Sequence, residues 1–417
     1  TNRLETLARL TLEDVLNREV TSVSKRPEKM FAAPAAVSVI TGEDIRRSGA
    51  RRLPEILRLA PGLTVSQADA NTWAVSARGF QNVFSDKLLV MIDGRTIYTP
   101  VFSGVFWNIQ DYLLEDIDHI EVVRGPGGTL WGANAVNGVI NIITKDARDT
   151  QGVYTTGGGG TAERGFVGGR YGLKLGETGF LRLYGQYADR SHFPGGNDSS
   201  EMAQGGFRAD WSVAEAHLTF QGDYYSENHG SRIAAVTFAP PYFPFSDERF
   251  HYFGGNALFR YRREFSQESD LQFQTYYDRA ARSEFGAESL QHILDAELQH
   301  RIALPLGQNV MYGFGYRYYP DHLEDNALMH FARVSRNSQL ASAFIQDEIT
   351  VVEDRLRVVL GSKIEHNDYT GWEVQPNARV VWQPTDRQTV WGAASRAVQI
   401  PGRIHHDLTL TAAALGP

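Results

Sequence analysis

The sequence has no cysteine. That absence removes disulfide frameworks, thiolate metal sites and cysteine nucleophiles together. No apolar run approaches the eighteen or so residues that a membrane-crossing helix needs, and the mean hydropathy is negative; a helical membrane protein is excluded. This test is blind to a transmembrane β-barrel, whose strands alternate lipid-facing and lumen-facing residues and look hydrophilic on average. A basic excess is missing too. The 41 Lys and Arg stand against 49 Asp and Glu, and the formal charge of −8 is spread along the chain, so no nucleic-acid footprint exists. Neither G-x-S-x-G nor H-E-x-x-H occurs, and no cofactor is implied. Thr1 is not followed by a charged-then-apolar leader, so any signal peptide is expected to have been removed or to lie outside this chain.

What is present is glycine, 40 residues, and an aromatic content of 11% in a chain of 417 residues, long enough for two or three ordinary domains. Composition changes near residue 150. Before that point, Leu4, Leu7, Leu10 and Leu12 to Leu16 predict a short amphipathic helix, and Glu19 to Lys25 (EVTSVSK) is β-branched and polar, so it is expected to be extended or disordered. Ala36 to Ile40 reads as a strand. Thr41 with Asp44 caps a helix that stops at Gly49, and Pro54 opens another with Ile56, Leu57 and Ala60 as its apolar stripe. Leu88 to Ile92, Asp93-Gly94 and Thr96 to Tyr98 form a hairpin signal; His119 to Val123 and Val139 to Thr144 add strands.

After residue 150 the pattern has period two, segment after segment. Leu181, Leu183, Gly185 and Tyr187 oppose Arg182, Tyr184 and Gln186. Leu218, Phe220, Gly222 and Tyr224 oppose His217, Thr219, Gln221 and Asp223, and the same alternation runs through Leu356, Val358, Leu360 and Ile364. Val310, Tyr312, Phe314, Tyr316 and Tyr318 make a tyrosine-rich face suited to a membrane interface. Roughly thirteen such segments are counted, each about as long as a tilted membrane-crossing strand. A soluble β-sandwich or propeller also alternates, but no blade-length repeat is visible.

The run LLEDIDHIEVVRGPGGTLWGANAVNGVINIITK, Leu113 to Lys145, resembles the closing part of the plug domain of TonB-dependent outer-membrane receptors. PAAVSVITGEDIRRSG (Pro34 to Gly49), LPEILRLAPGL (Leu53 to Leu63), VSARGF (Val75 to Phe80) and LLVMIDGRTIY (Leu88 to Tyr98) resemble that domain's earlier blocks, in the same order. The resemblance covers residues 19 to 150 by motif and 151 to 417 by barrel-like patterning. It implies a mixed α/β plug domain followed by an antiparallel transmembrane β-barrel, divided as an N-terminal segment (1–25), a plug (26–150) and an incomplete barrel (151–417). It also implies an outer-membrane location with lipid around the barrel, no enzymatic chemistry, and energised uptake of a scarce solute. A ferric siderophore is the family expectation, with cobalamin, haem or an oligosaccharide as alternatives.

Site expectations follow the same resemblance. Glu19, Val20, Thr21, Ser22, Val23, Ser24 and Lys25 stand where the family carries its TonB box, and an extended segment with free backbone donors suits strand addition to TonB; an ordinary linker is the plain alternative. Arg78 and Arg124 are expected to pair with barrel glutamates, as plug arginines do in the family, although an anionic ligand is a second reading. Gly125, Gly127, Gly128 and Gly132 lack the spacing of a nucleotide loop and suit tight turns inside a barrel. Ligand contacts are sought in Gln67 to Trp73, in Tyr98 to Trp107 and in the aromatic loop Ala239 to Tyr252. Trp73, Tyr98, Phe102 and Trp107 are the named candidates, with packing of these rings on each other as the bland alternative. His405-His406-Asp407 is discounted as a metal site, because neighbours on a strand point to opposite faces.

A plugged transporter is expected to have 22 strands, and the terminal AAALGP lacks the usual closing aromatic strand, so a truncated barrel is expected; a complete barrel of about fourteen strands is the rival. Two other classes remain: a passive outer-membrane channel, which would not need EVTSVSK, and a soluble carbohydrate-active enzyme, for which no convergent carboxylate pair is found.

Overall fold

The computed structural model describes residues 18–411 apart from 81, 235–239, 241–243, 285, 327–328 and 386–387. The amphipathic helix expected before residue 17, the terminal AAALGP beyond residue 411, and Tyr242 and Phe243 of the aromatic loop lie outside the described residues. The first unit begins with two short paired strands, β1 (Glu19–Val20) and β2 (Glu28–Lys29). Strand β3 (Ala36–Thr41) leads into helix α1 (Gly42–Ser48). Thr41 Oγ1 accepts from Asp44 N at 3.1 Å and the Asp44 carboxylate accepts from Thr41 N at 2.9 Å, so the capping box forms as its spacing predicts. Gly49 ends α1 at φ 71°. The helix after it is shorter than its apolar stripe implies: α2 (Leu53–Ile56) is one turn, continued by a 3-10 turn over Leu57–Leu59, with Pro61-Gly62 stopping it.

Next come β4 (Leu63–Gln67), β5 (Trp73–Ala77), β6 (Leu88–Ile92), β7 (Arg95–Thr96), β8 (Ile117–Arg124), α3 (Gly128–Trp131) and β9 (Gly138–Thr144). Five of these strands form one sheet in the order β3-β8-β9-β6-β7, in which β6 and β9 run parallel. Asp93 (φ 49°) and Gly94 (φ 77°) make the tight β6–β7 turn, a conformation open to Asp and Gly. The core on this sheet includes Leu53, Ile56, Leu57, Ile120, Val122 and Ile140, all essentially fully buried; burying each such side chain is worth roughly 1.5–3 kcal/mol.

The second unit is one antiparallel sheet of thirteen strands, matching the number of alternating segments. They are β10 (Gly152–Gly158), β11 (Glu163–Leu175), β12 (Gly179–Arg190), β13 (Ser200–Val213), β14 (Ala216–Ala234), β15 (Phe245–Ser266), β16 (Ser269–Glu284), β17 (Ala287–Leu304), β18 (Gln308–Leu323), β20 (Ser335–Val352), β21 (Leu356–Asn367), β22 (Gly371–Thr385) and β23 (Gln388–Ser395). Two short strands outside it, β19 (Met329–Phe331) and β24 (Leu408–Leu410), pair with each other, and helix α4 (Arg403–His406) precedes β24. Among the described residues no ladder joins β10 to β23.

The burial pattern of this sheet decides between membrane and water. Leu183, Tyr187, Phe220, Tyr224, Tyr312, Phe314, Tyr316, Leu360 and Ile364 are exposed, while Arg182, Gln204, Arg208, Gln274, Gln299, Lys363, Glu365 and Gln375 are buried against the first unit. A soluble sandwich buries its apolar face. Here the apolar face is outside and the polar face inside, as lipid around a plugged barrel requires. The two ends of the sheet also differ. Connections after β11, β13, β15, β17, β20 and β22 all have two or three residues, whereas those at the other end are mixed, two to four after β10, β16 and β21 but nine after β12, ten after β14 and eleven after β18. In bacterial outer-membrane barrels short turns face the periplasm and long loops face outward.

Candidate functional site

At the long-loop end lies a cavity of about 460 Å³. Its walls come from the β4–β5 turn, the β5–β6 connection and the 101–108 loop of the first unit, from the loop-proximal ends of β14 to β18, from the β18–β20 connection and from the stretch between Ile404 and Leu410. The aromatic rings form a chain. Phe84 and Phe102 meet edge-on with centroids 5.2 Å apart, Phe102 and Phe106 at 4.8 Å, and Phe106 and Tyr252 at 5.9 Å; such contacts add roughly 0.5–1.5 kcal/mol each beyond area burial. Tyr252 and Phe250 in turn pack edge-on against His229, at 4.9 and 5.4 Å. Rings of the plug and of the sheet therefore share one surface.

Of the four named ligand candidates, Trp73, Phe102 and Trp107 line this cavity. Tyr98 does not. It is buried beside a separate space of about 90 Å³ lined by Asp295, Glu297, Arg317, Lys363 and Glu365, because the chain turns between Tyr98 and Phe102 through the Thr99–Gly104 bridge. The aromatic stretch from Ala239 to Tyr252 is not all loop: Phe245 onward belongs to β15, and Phe250 and Tyr252 line the cavity from within that strand. Phe250 was expected among the loop's aromatic residues and Tyr252 only as the end of the range; period two, not loop composition, turns both inward.

The chain makes an excursion beyond the last strand of the sheet. After β23 the chain leaves the sheet and crosses the plug, with Asn134 N donating to Val398 O (2.7 Å), Arg403 N to Pro100 O (3.0 Å) and Ile404 N to Val101 O (2.9 Å). Arg403 is fully buried, paired with Asp321 and with Asp407, the latter at 2.7 Å. His405 and His406 stand on α4 rather than on a strand. His406 binds Asp407 at 2.8 Å, and no group of three potential metal ligands exists among the described residues.

At the short-turn end sits the Glu19–Lys25 segment. The expected free, extended conformation is not adopted: only Glu19–Val20 is strand, and residues 22–25 turn and are buried apart from a half-buried Lys25 backbone. Val20 and Val23 pack with Leu89, Met91 and Val139. The physical cause is Glu121, a fully buried carboxylate of β8. It accepts Thr21 N at 2.8 Å, Ser22 N at 2.6 Å and Thr21 Oγ1 at 3.1 Å. A buried carboxylate must find donors, and this segment supplies them. Lys25 then reaches the sheet, 2.5 Å from Glu297, with its ammonium over the rings of Trp131 and Phe344. Trp131 Nε1 donates to Ser22 O at 2.7 Å.

Burial lowers the Lys25 pKa, although Glu297 opposes the shift. Burial alone would raise Glu121, but hydrogen bonds from His119, Ser22 and Thr21 outweigh it and hold the carboxyl below its usual range. Burial works against protonation of His119 as well, yet Asp118 at 2.6 Å and Glu121 at 3.1 Å raise it to about 9. A histidine raised in the folded state contributes stability that is complete below about pH 6.5 and is lost as pH passes about 9. Hydrogen-exchange protection of the Thr21 and Ser22 amides is therefore expected to fall across that window. In a His119→Gln variant the fall should vanish; an unchanged profile there would assign the effect elsewhere.

Arg78 and Arg124, expected to pair with barrel glutamates, form no ion pair with a barrel carboxylate among the described residues. Arg78 is exposed at φ 60° in the turn before Gly79; Arg124 lies beside Gly62. The plug–sheet pairing is made elsewhere, and in part with reversed polarity. Lys25–Glu297, Arg26–Glu348 (2.6 Å) and Arg95–Asp278 run from plug cation to sheet carboxylate. Asp111–Arg190 (2.5 Å), Asp116–Arg170 and Asp93–Arg208 (3.8 Å) run the other way. The glycine reading fares better. A Cβ on Gly128 or Gly132 would collide with Gln375 or Glu365, and Gly132 sits at φ 82°, ψ −159°, a region essentially reserved for glycine.

Residues 29–139 match the family model of the TonB-dependent receptor plug domain, and residues 137–409 that of the TonB-dependent receptor-like β-barrel. The chain belongs to the TonB-dependent receptor family. Among relatives, the vitamin B12 transporter BtuB of Vibrio cholerae is 28% identical over 232 residues, covering 51% of this chain and 37% of the relative. The iron-regulated outer membrane virulence protein of the same species is 27% identical over 404 residues, covering 88% and 58%. This receptor chain thus spans less than two thirds of either relative's length. The fold agrees with solved structures of a ferric enterobactin receptor (PfeA) mutant from Pseudomonas aeruginosa (TM-score 0.70, 17% identity, 88% of this chain and 62% of that one) and of the ferric-catecholate import receptor Fiu from E. coli (TM-score 0.69, 13% identity, 93% and 73%).

Proposed function

We propose that this chain provides the plug and the solute-binding part of an outer-membrane receptor that takes up a scarce solute at the expense of inner-membrane energy transmitted by TonB, and that the solute is a ferric siderophore. The proposal includes the division at residues 25 and 150, and Glu19–Lys25 as the TonB-binding segment. What carries the reading is the placement of two sites at opposite ends of one plug. The aromatic cavity with Trp73, Phe102 and Trp107 opens at the long-loop end, and the Glu121-held segment lies at the short-turn end. A solute seated on plug rings can bias the same domain that grips the segment, and TonB would then have to replace the Glu121 and β2 contacts by strand addition. Iron uptake is favoured by the iron-regulated relative, which matches over most of this chain; cobalamin is the second reading, on the shorter match to the B12 transporter.

The test is deletion of Glu19–Lys25 in the receptor expressed in its native outer membrane. Uptake of the solute is expected to fall to background while surface binding persists. Uptake that survives the deletion would instead support a passive channel.

A further inference from the structure

Among the described residues, one buried arginine of the sheet has no carboxylate within ion-pair distance. Among the described residues six arginines are buried, and five of them, Arg95, Arg182, Arg190, Arg208 and Arg403, face a carboxylate. The sixth is Arg282, only 3% exposed, which among the described residues has no carboxylate within ion-pair distance and no hydrogen-bond partner, Asp278 acting on it only at longer range. Its guanidinium lies 3.7 Å from the Phe106 ring centroid and 5.7 Å from that of Tyr252, its cross-strand neighbour on β15, and it lines the 460 Å³ cavity. A buried charge normally has a partner, because desolvation is otherwise uncompensated. Ring faces offset part of that cost, but they satisfy none of its five donors.

We propose that Arg282 anchors a single anionic group, a carboxylate or phosphate, of a ring-bearing ligand seated in this cavity. The inference rests on reading the cavity as the solute site. Phe102, Phe106, Trp107 and Tyr252 supply flat apolar surface for the ring, and the planar guanidinium offers a bidentate contact to the oxygens beside it. The rest of the wall limits the charge. Asp69, Glu284, Glu288 and Glu324 line the same cavity, and Glu284 already accepts the Tyr252 hydroxyl at 2.6 Å. One anionic group beside Arg282 is matched; a trianionic chelate meets four carboxylates with one cation to offset them. The site thus selects against the charge of a ferric tricatecholate while accepting an aromatic acid or a chelate carrying one free acidic group.

Riboflavin and flavin mononucleotide share a ring and differ by one phosphate, so their fluorescence titration against the detergent-purified receptor isolates the charge. Flavin mononucleotide should bind at least about tenfold more tightly than riboflavin, and ferric tricatecholate should displace it only at higher concentration than unlabelled flavin mononucleotide does. Arg282→Met should bring the two flavins to equal affinity, and Arg282→Lys should keep part of the preference. Heat-modifiable gel migration checks that each variant folds. Equal binding by the unaltered receptor, a preference that survives Arg282→Met, tighter binding of the tricatecholate, or no binding of either flavin would each overturn the inference. Uptake after deletion of Glu19–Lys25 is a separate readout: its persistence would defeat the receptor reading while leaving the flavin preference intact.

Discussion

Replacing Glu121 with alanine is expected to speed tryptic cleavage of the Lys25–Arg26 bond by about a hundredfold or more. The carboxylate is fully buried and takes three hydrogen bonds from Thr21 and Ser22, besides its contact with His119. Removing it strands two backbone donors that the fold has withdrawn from water. Taking one member from such a buried charged cluster costs about 3–5 kcal/mol, and each 1.4 kcal/mol is a factor of ten in the open population that a protease samples. Glu121→Gln keeps the shape and one acceptor oxygen, so it should fall between the two. If the alanine variant is cut no faster, the segment is held instead by Lys25–Glu297 and the β1–β2 pair, and the Glu121 account is wrong. In the proposed function this variant has a further consequence: the segment is presented without ligand, and coupling between solute occupancy and the energising partner should weaken.

Loss of Arg403 should release the excursion over the plug by a similar free energy. The side chain has no exposed surface and bridges Asp321, Asp407 and the Arg333 carbonyl. In an Arg403→Ala variant Asp321 is left buried without its cation, while Asp407 keeps Arg336 at 3.3 Å. The expected cost is about 3–5 kcal/mol, concentrated locally. Hydrogen-exchange protection should drop at the Arg403 and Ile404 amides, which bond to Pro100 and Val101, and along the three-residue β19–β24 ladder. The strands β14 to β17 should keep theirs. Uniform loss across the sheet would mean that Arg403 supports the fold as a whole rather than this one crossing.

Much of the plug was legible because its signals are local. Thr41 and Asp44 face each other across three residues, and Asp93-Gly94 carries its own turn geometry, so both features appear where the residues place them. The sheet was legible for a different reason: period two survives in any antiparallel strand, and thirteen segments became thirteen strands. The Glu19–Lys25 segment was misjudged in conformation. β-branched and polar residues describe a strand in isolation, but a carboxylate about a hundred residues away decides where Thr21 and Ser22 put their donors. A hint was available in the apolar strand around Glu121, since a lone acidic residue there must be met by something. Arg78 and Arg124 show the converse case, in which residue type suggests a pairing and no barrel carboxylate meets either arginine among the described residues.

By itself, then, the sequence determined local caps, turns and apolar stripes for the plug and period-two alternation for the sheet, while the exposure of the apolar face that fits lipid came from the structure. The sequence also carried the ordered motifs by which the family is recognised. Only the tertiary structure decided which charges meet, that Trp73, Phe102 and Trp107 share a cavity while Tyr98 does not, and that Arg282 has no carboxylate within ion-pair distance among the described residues. The reason is range. Caps and pleats act over a few residues, so they are written in neighbouring letters, whereas a buried ion pair or a cavity wall joins positions up to some three hundred residues apart, and their meeting depends on register and on the way one domain fills the other.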